Sequence, residues 1–382
     1  MPHRILITGG AGFIGSKVAL RLAAEGWDVR VLDNFVPQVH GPEPERSRVF
    51  RELSRAVDLV RGDVRDPAAW SRALQGRSHV LHLAAETGTA QSGYSAGHYC
   101  AVNVVGTGNL IDTLFRERIA LAALVVASSR AIYGEGRAIC PEHGPVYPSQ
   151  RKRMDLAAGC FEPRCPQCNI PASPAATPED APPAPSSVYA VTKLAQEQLV
   201  LGACRTLGLK GAALRYQNVY GPGQSMRNPY AGILPLFAGA IMTGDRLHIF
   251  EDGFQTRDFV NIADVVAATC RAVSSPPDEP TPINIGSGTS MSLHDVLGEI
   301  ERALGRTADA RLMGGYREGD IRHNVALLDR ARDLLGFAPQ VPFRRGLAEF
   351  IEWSREECDG AAGFSIRYAT SVDEMRRNNI IQ

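Results

Sequence analysis

A glycine-rich turn between a largely apolar strand and a helix is the feature that most constrains the fold of this chain. The run Arg4–Thr8 is followed by glycines in both the G-x-x-G-x-x-G and the G-x-G-x-x-G spacing, through Gly9 or Gly10, then Gly12 and Gly15. Glycine permits the tight turn and lets a diphosphate approach bare backbone amides at a helix N-terminus. The last glycine lets that helix pack closely on the sheet. The pattern therefore predicts a dinucleotide-binding turn in an α/β sheet.

An acidic residue ends the second predicted strand. The stretch 28–32 leads into Asp33, roughly twenty residues after Gly15. A carboxylate at this position can accept hydrogen bonds from an adenosine ribose, and its charge repels a ribose 2′-phosphate. The sequence therefore predicts NAD, in preference to NADP, as the cofactor.

Length and composition limit the classes of protein that this chain can be. Its 382 residues are 44% hydrophobic, which allows a large core and suits a two-domain enzyme or one large domain with insertions. Lys and Arg together number 41, as do Asp and Glu, so no net charge attracts nucleic acid or an anionic membrane. We find neither a signal-peptide pattern nor a long apolar run. We therefore expect a cytoplasmic protein whose cysteines are thiols or metal ligands.

Strand and helix patterns alternate through residues 1–130, which predicts a doubly wound parallel sheet of the Rossmann type. We expect helices over about 99–117 and 188–207. The pattern after residue 220 is irregular and predicts a smaller C-terminal substrate domain, from which a strand near 283–286 could return to the main sheet. The predicted parts are a cofactor-binding domain over 1–220 with an insert over about 138–187, a substrate domain over 221–350, and a tail over 351–382 that is either a docked arm or partly disordered.

Residues that directly follow strand ends are expected to line the cofactor cleft, since ligands of such sheets bind beyond the carboxyl ends of the strands. Asp63, Ala84 and Ala85 hold such positions. Asp63 could instead be the N-cap of the next helix. The stretch 171–187 is rich in proline, alanine and serine, and indicates an extended surface loop with little core.

A tyrosine and a lysine four residues apart, Tyr189 and Lys193, would share one helix face. An ammonium beside a phenol lowers the pKa of the phenol from about 10, so that the tyrosine could take a proton from an alcohol. Ser129 ends a predicted buried strand, where its hydroxyl could bond the reacting oxygen. Surface helices and serine-rich strand ends also show these patterns. The glycine turn earlier in the chain favours the catalytic interpretation.

Ten motifs in chain order resemble the extended short-chain dehydrogenase/reductases, in the branch of nucleoside-diphosphate-sugar epimerases and dehydratases. The resemblance covers residues 3–350 and implies a tightly bound NAD, a nucleoside-diphosphate-sugar substrate and a homodimer built from the helices near 99–117 and 188–207. The motifs are TGGAGFIG at 8–15, LDN at 32–34, GDVRD at 62–66, HLAA at 82–85, NVVGT at 103–107, SSRAIYG at 128–134, YAVTK at 189–193, LRYQNVYGPG at 214–223, RDFVNIADV at 257–265 and REGDIRH at 317–323.

The resemblance also implies roles for single residues. Ser129, Tyr189 and Lys193 match the catalytic residues, and Arg257 and Arg317 match arginines that hold the substrate diphosphate; either arginine could instead form a surface ion pair, with Asp258 or Glu318. The predicted cofactor-binding residues are Gly9, Gly12, Phe13, Ile14, Gly15, Asp33, Asn34, Asp63, Val64, Leu83, Ala84, Ala85, Asn103, Tyr189 and Lys193. The predicted substrate-binding residues are Thr87, Ser129, Asn218, Asn228, Arg257, Arg317 and Asn324.

Two residues separate the reaction types of the family. The 4,6-dehydratases resemble S-T-D-E-V-Y-G at 128–134, with an Asp-Glu pair that removes and adds protons, whereas this chain has Arg130 and Ala131 there. The resemblance therefore favours redox-neutral 4-epimerisation through a transient 4-keto sugar. The alternatives are a reductase, dehydrogenase or decarboxylase of the same family, and a non-enzymatic NAD-binding sensor or scaffold. Gln217 departs from the phenylalanine that is usual in galactose epimerases.

Extra sequence between Ser129 and the tyrosine carries two C-P-x-C/H turns. They contain Cys140 and His143, then Cys165 and Cys168, which together make a Cys₃His set suited to tetrahedral zinc. Four protein ligands leave no open position, so a structural ion is favoured over a catalytic one. Free thiols beside a surface histidine are the alternative, and Cys160 is a possible substitute ligand. The insert and its flanking stretches look most like dTDP-L-rhamnose 4-epimerases and related bacterial epimerases.

Overall fold

The computed structural model describes residues 3–226, 228, 232–317, 319–357 and 361–381. The strands in these ranges are β1 (Arg4–Thr8), β2 (Asp28–Asp33), β3 (Asp58–Arg61), β4 (His79–His82), β5 (Ala123–Ser129), β6 (Ala138–Cys140), β7 (Gly144–Val146), β8 (Ser173–Pro174), β9 (Lys210–Tyr216), β10 (Asn218–Tyr220), β11 (Leu247–Ile249), β12 (Thr256–Asn261), β13 (Thr281–Ile285), β14 (Ser290–Ser292) and β15 (Ala310–Leu312).

The α-helices alternate with these strands through the first half of the chain. They are α1 (Phe13–Ala24), α2 (Pro37–His40), α3 (Arg48–Ala56), α4 (Pro67–Leu74), α5 (Thr89–Ser92), α6 (Ala96–Tyr99), α7 (Gly106–Arg116), α8 (Arg153–Ala157), α9 (Val188–Leu207), α10 (Ile233–Thr243), α11 (Ile262–Ser274), α12 (Leu293–Leu304), α13 (Asp329–Leu335), α14 (Phe343–Glu357) and α15 (Ala361–Arg377).

Seven parallel strands form the central sheet in the order β3-β2-β1-β4-β5-β9-β13. Successive side chains of a strand point to opposite faces, so a sheet covered on both sides needs apolar residues at successive positions. Ile5 and Ile7 pack with α1, α3, α11 and α13, whereas Leu6 packs on the other face with α4, α7 and α9. The predicted doubly wound sheet is confirmed, and so is the return of residues near 283–286 to it as β13.

Two helix predictions have different outcomes. Helix α9 has the predicted bounds, Val188–Leu207. The predicted helix over about 99–117 is interrupted, because a π-helical turn over Cys100–Val105 separates α6 from α7. Such turns replace regular helical hydrogen bonding locally and are frequent at functional sites.

A second hydrophobic core lies in the smaller part of the molecule. Helices α10, α12, α14 and α15 pack together there, beside β11 and β15. The ring of Phe364 on α15 lies so close to Gly239 on α10 that a Cβ at the glycine would meet it at 2.2 Å. The described residues of the predicted tail are therefore docked on this core, as the end of α14 and as α15. The predicted boundary at 350 falls inside α14, and the division into domains remains a prediction.

The insert forms a small three-stranded sheet of β7, β6 and β8 with few buried apolar residues. The prediction of an extended surface loop over 171–187 is wrong for its middle. Thr177, Glu179 and Ala181 are 2%, 6% and 2% exposed. Thr177 accepts a backbone hydrogen bond from Leu327, so this segment runs inward and packs between the sheet and the substrate part.

Candidate active site

A cavity of about 460 Å³ opens at the carboxyl ends of the central strands, where ligands of doubly wound sheets bind. Most of the residues predicted for the cofactor and substrate line it. They are Gly9, Gly12, Phe13, Ile14, Gly15, Asp33, Asn34, Val64, Leu83, Ala84, Ala85, Thr87, Ser129, Tyr189, Lys193, Asn218 and Asn228. The predicted residues Asp63, Asn103, Arg257, Arg317 and Asn324 are not part of this lining.

The glycine turn has the geometry of an anion cradle. Gly9 has a φ of +63°, and a Cβ there would come within 2.8 Å of the backbone nitrogen of Ala84. A Cβ at Gly15 would come within 2.4 Å of the Gly9 carbonyl oxygen. Gly12 is the N-cap of α1 and places no side chain over the helix end. A Cβ at Gly9 or Gly15 would meet backbone atoms of the protein itself, so only glycine lets the turn pack this tightly and leave the N-terminus of α1 open to a dinucleotide diphosphate. The turn therefore fits NAD.

Asp33 lies at the end of β2 as predicted and is 8% exposed. Its carboxylate accepts hydrogen bonds from the backbone nitrogens of Ala11 at 3.0 Å and Phe35 at 2.9 Å. A carboxylate has about four acceptor positions, so lone pairs remain for ribose hydroxyls. The carboxylate is therefore fixed against the glycine turn and can still bind the adenosine ribose.

Asp63 and Asn103 act behind the cavity wall. Asp63 accepts from Asn34 at 3.0 Å and pairs with Arg65, whose hydrogen bond is the largest cause of the lowered pKa of Asp63. It is not the helix N-cap, since Asp66 caps α4. The buried amide of Asn103 accepts from the Glu86 nitrogen at 2.7 Å. These contacts hold the loops after β3 and β4, and direct cofactor contacts of the two residues remain a prediction.

Ser129 and Tyr189 meet at one wall of the cavity. Ser129 ends β5, and its hydroxyl accepts from the Ala131 nitrogen at 3.2 Å. Tyr189 lies in the first turn of α9, where its own nitrogen donates to Ser92 Oγ at 3.0 Å. Burial raises the pKa of Tyr189, while the hydrogen bond with Ser129 and the charge of Arg130 act to lower it. The predicted lowering of this pKa is therefore not found, because desolvation outweighs both favourable contacts.

Lys193 faces a buried polar network. Its Nζ donates to Gln196 Oε1 at 2.6 Å, and Gln196 Nε2 donates to Thr107 Oγ1 at 3.0 Å. His82 hydrogen-bonds Thr107 at 2.9 Å and Thr8 at 2.7 Å. Burial lowers the pKa of Lys193 to about 7 and that of His82 to about 3.

His82 lies in the HLAA motif at 82–85, but the sequence predicts no role for it or for Gln196. The available signals were a histidine in an apolar strand and a glutamine three residues after the lysine on α9. The ion pair of Glu197 and Arg215 is also not predictable from the sequence, because the two residues lie on different elements that only the fold brings together. Glu197 binds Arg215 at 2.6 Å, and Ser128 donates to Glu197 at 2.6 Å. This buried group ties α9 to β5 and β9 beneath the reacting side chains.

The two predicted diphosphate arginines come together on one carboxylate. Arg257 donates to Asp320 at 3.1 Å and Arg317 donates to the same residue at 2.8 Å. The alternative partner Asp258 instead accepts from the backbone nitrogen of Ser287 at 2.7 Å. Glu318, the other alternative, lies outside the described residues. The buried amide of Asn324 has no hydrogen-bond partner among the described residues. The diphosphate role of the arginines remains a prediction.

The structure brings the four predicted metal ligands together. The ligand atoms of Cys140, His143, Cys165 and Cys168 all lie within 4.8 Å of one another. Cys140 Sγ is 3.6 Å from both His143 Nδ1 and Cys168 Sγ, and Cys165 Sγ is 3.7 Å from His143 Nδ1. Tetrahedral zinc with Zn–S bonds of about 2.3 Å would separate its ligand atoms by roughly 3.5–3.8 Å. The donor set therefore fits zinc, whereas Cys160 is exposed and outside the cluster.

The profile of the NAD dependent epimerase/dehydratase family matches residues 5–151 and 166–286. The chain belongs to this family. A curated relative, the dTDP-L-rhamnose 4-epimerase of Burkholderia thailandensis, is 38% identical over 93% of this chain and 96% of its own length. Members of the family among solved structures share the fold described above.

Two of these solved structures, both determined with bound ligands, illustrate the match. UDP-glucose 4-epimerase from Thermotoga maritima, solved with UDP-glucose, matches with a TM-score of 0.74 and 27% identity over 92% of this chain and 99% of that one. UDP-glucuronic acid 4-epimerase from Bacillus cereus, solved with UDP-glucuronic acid and NAD, matches with a TM-score of 0.75 and 26% identity over the same shares. Within the described residues of this epimerase/dehydratase family member, no helix is long and apolar enough to cross a membrane.

Proposed function

We propose that this protein is an NAD-dependent nucleoside-diphosphate-sugar 4-epimerase. The observation that carries the proposal is a cavity whose lining joins the glycine turn to Ser129, Tyr189 and Lys193. Arg130 and Ala131 follow Ser129 where the dehydratases of the family are expected to hold their acid pair. The wall therefore offers a proton acceptor for an alcohol, and positions 130 and 131 hold no carboxylate pair for elimination of water.

In the proposed reaction, the phenolate of Tyr189 takes the proton of the sugar C4 hydroxyl, and Ser129 holds the same oxygen through a hydrogen bond. Lys193 lies on the same wall and stabilises the phenolate by charge. Bound NAD would accept a hydride from C4 of the sugar and later return it to the same carbon. The 4-keto sugar turns within the cavity between the two transfers, and Tyr189 returns its proton to the oxygen of the inverted alcohol. The nucleotide portion keeps the intermediate bound.

The sugar nucleotide that we propose is dTDP-L-rhamnose. Support comes from the 38% identity to the Burkholderia thailandensis enzyme over nearly the whole of both chains. It also comes from the insert and its flanking motifs, which resemble those enzymes. The cytoplasm is the compartment that we propose for this protein.

We further propose that the cluster of Cys140, His143, Cys165 and Cys168 holds a structural zinc ion. The insert buries only a few small apolar residues, so a metal would supply ordering that its core cannot. Gln167 donates its backbone nitrogen to Cys165 Sγ at 3.5 Å, which favours the thiolate as an acceptor.

A homodimer built from two helical segments per subunit is the proposed assembly. Apolar side chains on these segments remain exposed in one chain: Val105 is 54% exposed, Phe115 48%, Val191 52% and Leu199 36%. Exposed apolar groups on neighbouring helices are typical of protein interfaces. Sedimentation of the wild type and of a Val191→Glu variant tests this assembly.

The test of the proposed reaction is turnover of dTDP-L-rhamnose, followed by NMR of the sugar C4 proton, with Tyr189→Phe beside the wild type. We expect inversion at C4 without a steady change in NADH absorbance, and a loss of at least a hundredfold in Tyr189→Phe. Wild-type rates in this variant would refute the assignment. A steady absorbance change would indicate net redox chemistry, and release of carbon dioxide would indicate decarboxylation.

A further inference from the structure

Arg130 is a cation at the cavity wall whose hydrogen bonds are incomplete. Its Nε donates to Asn218 Oδ1 at 3.3 Å, and its Nη1 is buried without a hydrogen-bond partner among the described residues. Both Arg130 and Asn218 line the cavity. A guanidinium only donates hydrogen bonds, so Nη1 is free to donate to an acceptor oxygen of a bound molecule.

Gln217 is a second buried group with the same deficit. The residue lines the cavity and is 5% exposed, and neither its Oε1 nor its Nε2 has a partner among the described residues. Its backbone nitrogen is fixed by the Ile285 carbonyl at 2.9 Å. Buried polar groups are nearly always paired in folded proteins, and an unpaired one costs free energy. The unpaired amide is therefore most simply explained by a ligand that completes it.

The two side chains lie beside the reacting groups. Ser129 on β5 and Tyr216 on β9 are partners in the sheet register, so Arg130 and Gln217 follow neighbouring strand ends. Arg257 and Arg317, expected at the diphosphate, meet on Asp320 outside the cavity lining, although the charges of Arg257 and Asp320 still act on Arg130. Because Ser129 holds the reacting sugar oxygen in the proposed reaction, the position next to it corresponds to the sugar portion of the substrate.

We propose that Arg130 and Gln217 bind the hydroxyl groups of the substrate sugar and thereby select which sugars are converted. Oε1 of Gln217 needs a donor, and a hydroxyl provides one, whereas an ionised phosphate or carboxylate provides none. A hydroxyl oxygen also accepts from Arg130. The chemical class that fits both groups is a neutral hydroxylated hexose. This inference rests on the proposed function and deepens it.

The test compares sugar nucleotides with the bare nucleotide on the NAD-loaded protein. Calorimetry gives Kd for dTDP-L-rhamnose and for dTDP with the wild type, Arg130→Met, Gln217→Leu and the exposed control Gln75→Leu. We expect Arg130→Met and Gln217→Leu to weaken dTDP-L-rhamnose about tenfold to a hundredfold and dTDP less than twofold. Gln75→Leu should change neither. Gln217→Leu should also raise the thermal midpoint of the free protein, because it removes two unpaired buried atoms.

Several outcomes would overturn the inference. Equal weakening of dTDP and dTDP-L-rhamnose would place the two side chains at the phosphates. Unchanged affinity for both molecules would remove them from the site. UDP-glucose, UDP-glucuronic acid and UDP are measured in the same way: if Arg130→Met weakens only the glucuronic acid derivative, the ligand class is a carboxylate and the proposal of a neutral sugar is wrong. Wild-type protein that binds these sugar nucleotides without epimerising any would contradict the proposed function. The measured Kd values would still test the inference on Arg130 and Gln217.

Discussion

The guanidinium of Arg322 donates to the carboxylate of Glu162 from Nη2 at 2.6 Å and from Nε at 2.9 Å. Arg322 is almost fully buried, with 1% of its side chain exposed. Glu162 belongs to the insert and lies three residues before Cys165. His323 also binds Glu162, at 2.8 Å. The insert is thus joined to the segment that carries the predicted substrate residues Arg317 and Asn324.

Glu162→Gln should destabilise the protein by about 1 kcal/mol at pH 7, since it weakens charge-assisted hydrogen bonds to Arg322 and His323. Burial acts to raise the pKa of Glu162, but these hydrogen bonds lower it to about 2. The stabilisation is therefore full above an unfolded pKa of about 4.5 and declines as the pH falls towards 2. Urea unfolding of both proteins between pH 7 and pH 3 measures this. A difference that stays constant over this range would contradict it, and Glu349→Gln, at an exposed pair, should change stability by less than about 0.5 kcal/mol.

Removal of the proposed zinc should weaken substrate binding more than cofactor binding. Cys165→Ser should lose the metal and loosen the insert, and with it the Arg322 segment, while the glycine turn lies elsewhere. Elemental analysis, bound NAD content and the Kd for dTDP-L-rhamnose measure the three effects. Cys160→Ser is the matched control and should keep the metal, because its thiol lies outside the cluster. A metal-free wild type, or unchanged substrate affinity in Cys165→Ser, would contradict this coupling.

Arg215→Met should destabilise the fold by about 3–5 kcal/mol, because it leaves the buried Glu197 carboxylate without its cation. Arg215→Met with Glu197→Gln should recover part of the loss, since the unpaired charge is then absent. Denaturant unfolding at neutral pH provides both values. Additive losses in the double variant would show that the two side chains do not act as a pair. The exposed Arg345→Met is expected to stay within about 0.5 kcal/mol of wild type.

Lys193→Met should change how stability depends on pH. Burial lowers the pKa of Lys193 to about 7, against an ordinary value of 10.5. Between these values the unfolded chain binds more protons than the folded one, so wild-type stability should rise with pH relative to Lys193→Met. Unfolding at pH 7, 8 and 9 measures the difference between the two proteins. Parallel curves would mean that Lys193 keeps its ordinary pKa in the fold.

The sequence by itself determined the features that depend on neighbouring residues. The glycine spacing between β1 and α1 reflects local backbone geometry, and the helix Val188–Leu207 reflects side-chain periodicity with a serine N-cap, so both were predictable. The Cys₃His set was predictable because each pair sits in one short turn. The position of Asp33 at the end of β2 was predictable because it depends only on the length of one strand–helix–strand unit.

Tertiary structure decided what depends on contacts between distant segments. The pKa of Tyr189 is raised because folding buries the phenol. The sequence spacing between Tyr189 and Lys193 gives no information on this burial. Asp320 gathers Arg257 and Arg317, although 60 residues separate the two arginines in sequence. The segment 171–187 looks like a solvent-exposed loop in composition, yet Thr177 is buried where its backbone nitrogen donates to the Val325 carbonyl and its own carbonyl accepts from Leu327. Burial and partner choice are properties of the whole packed chain, since desolvation depends on every segment that covers a group.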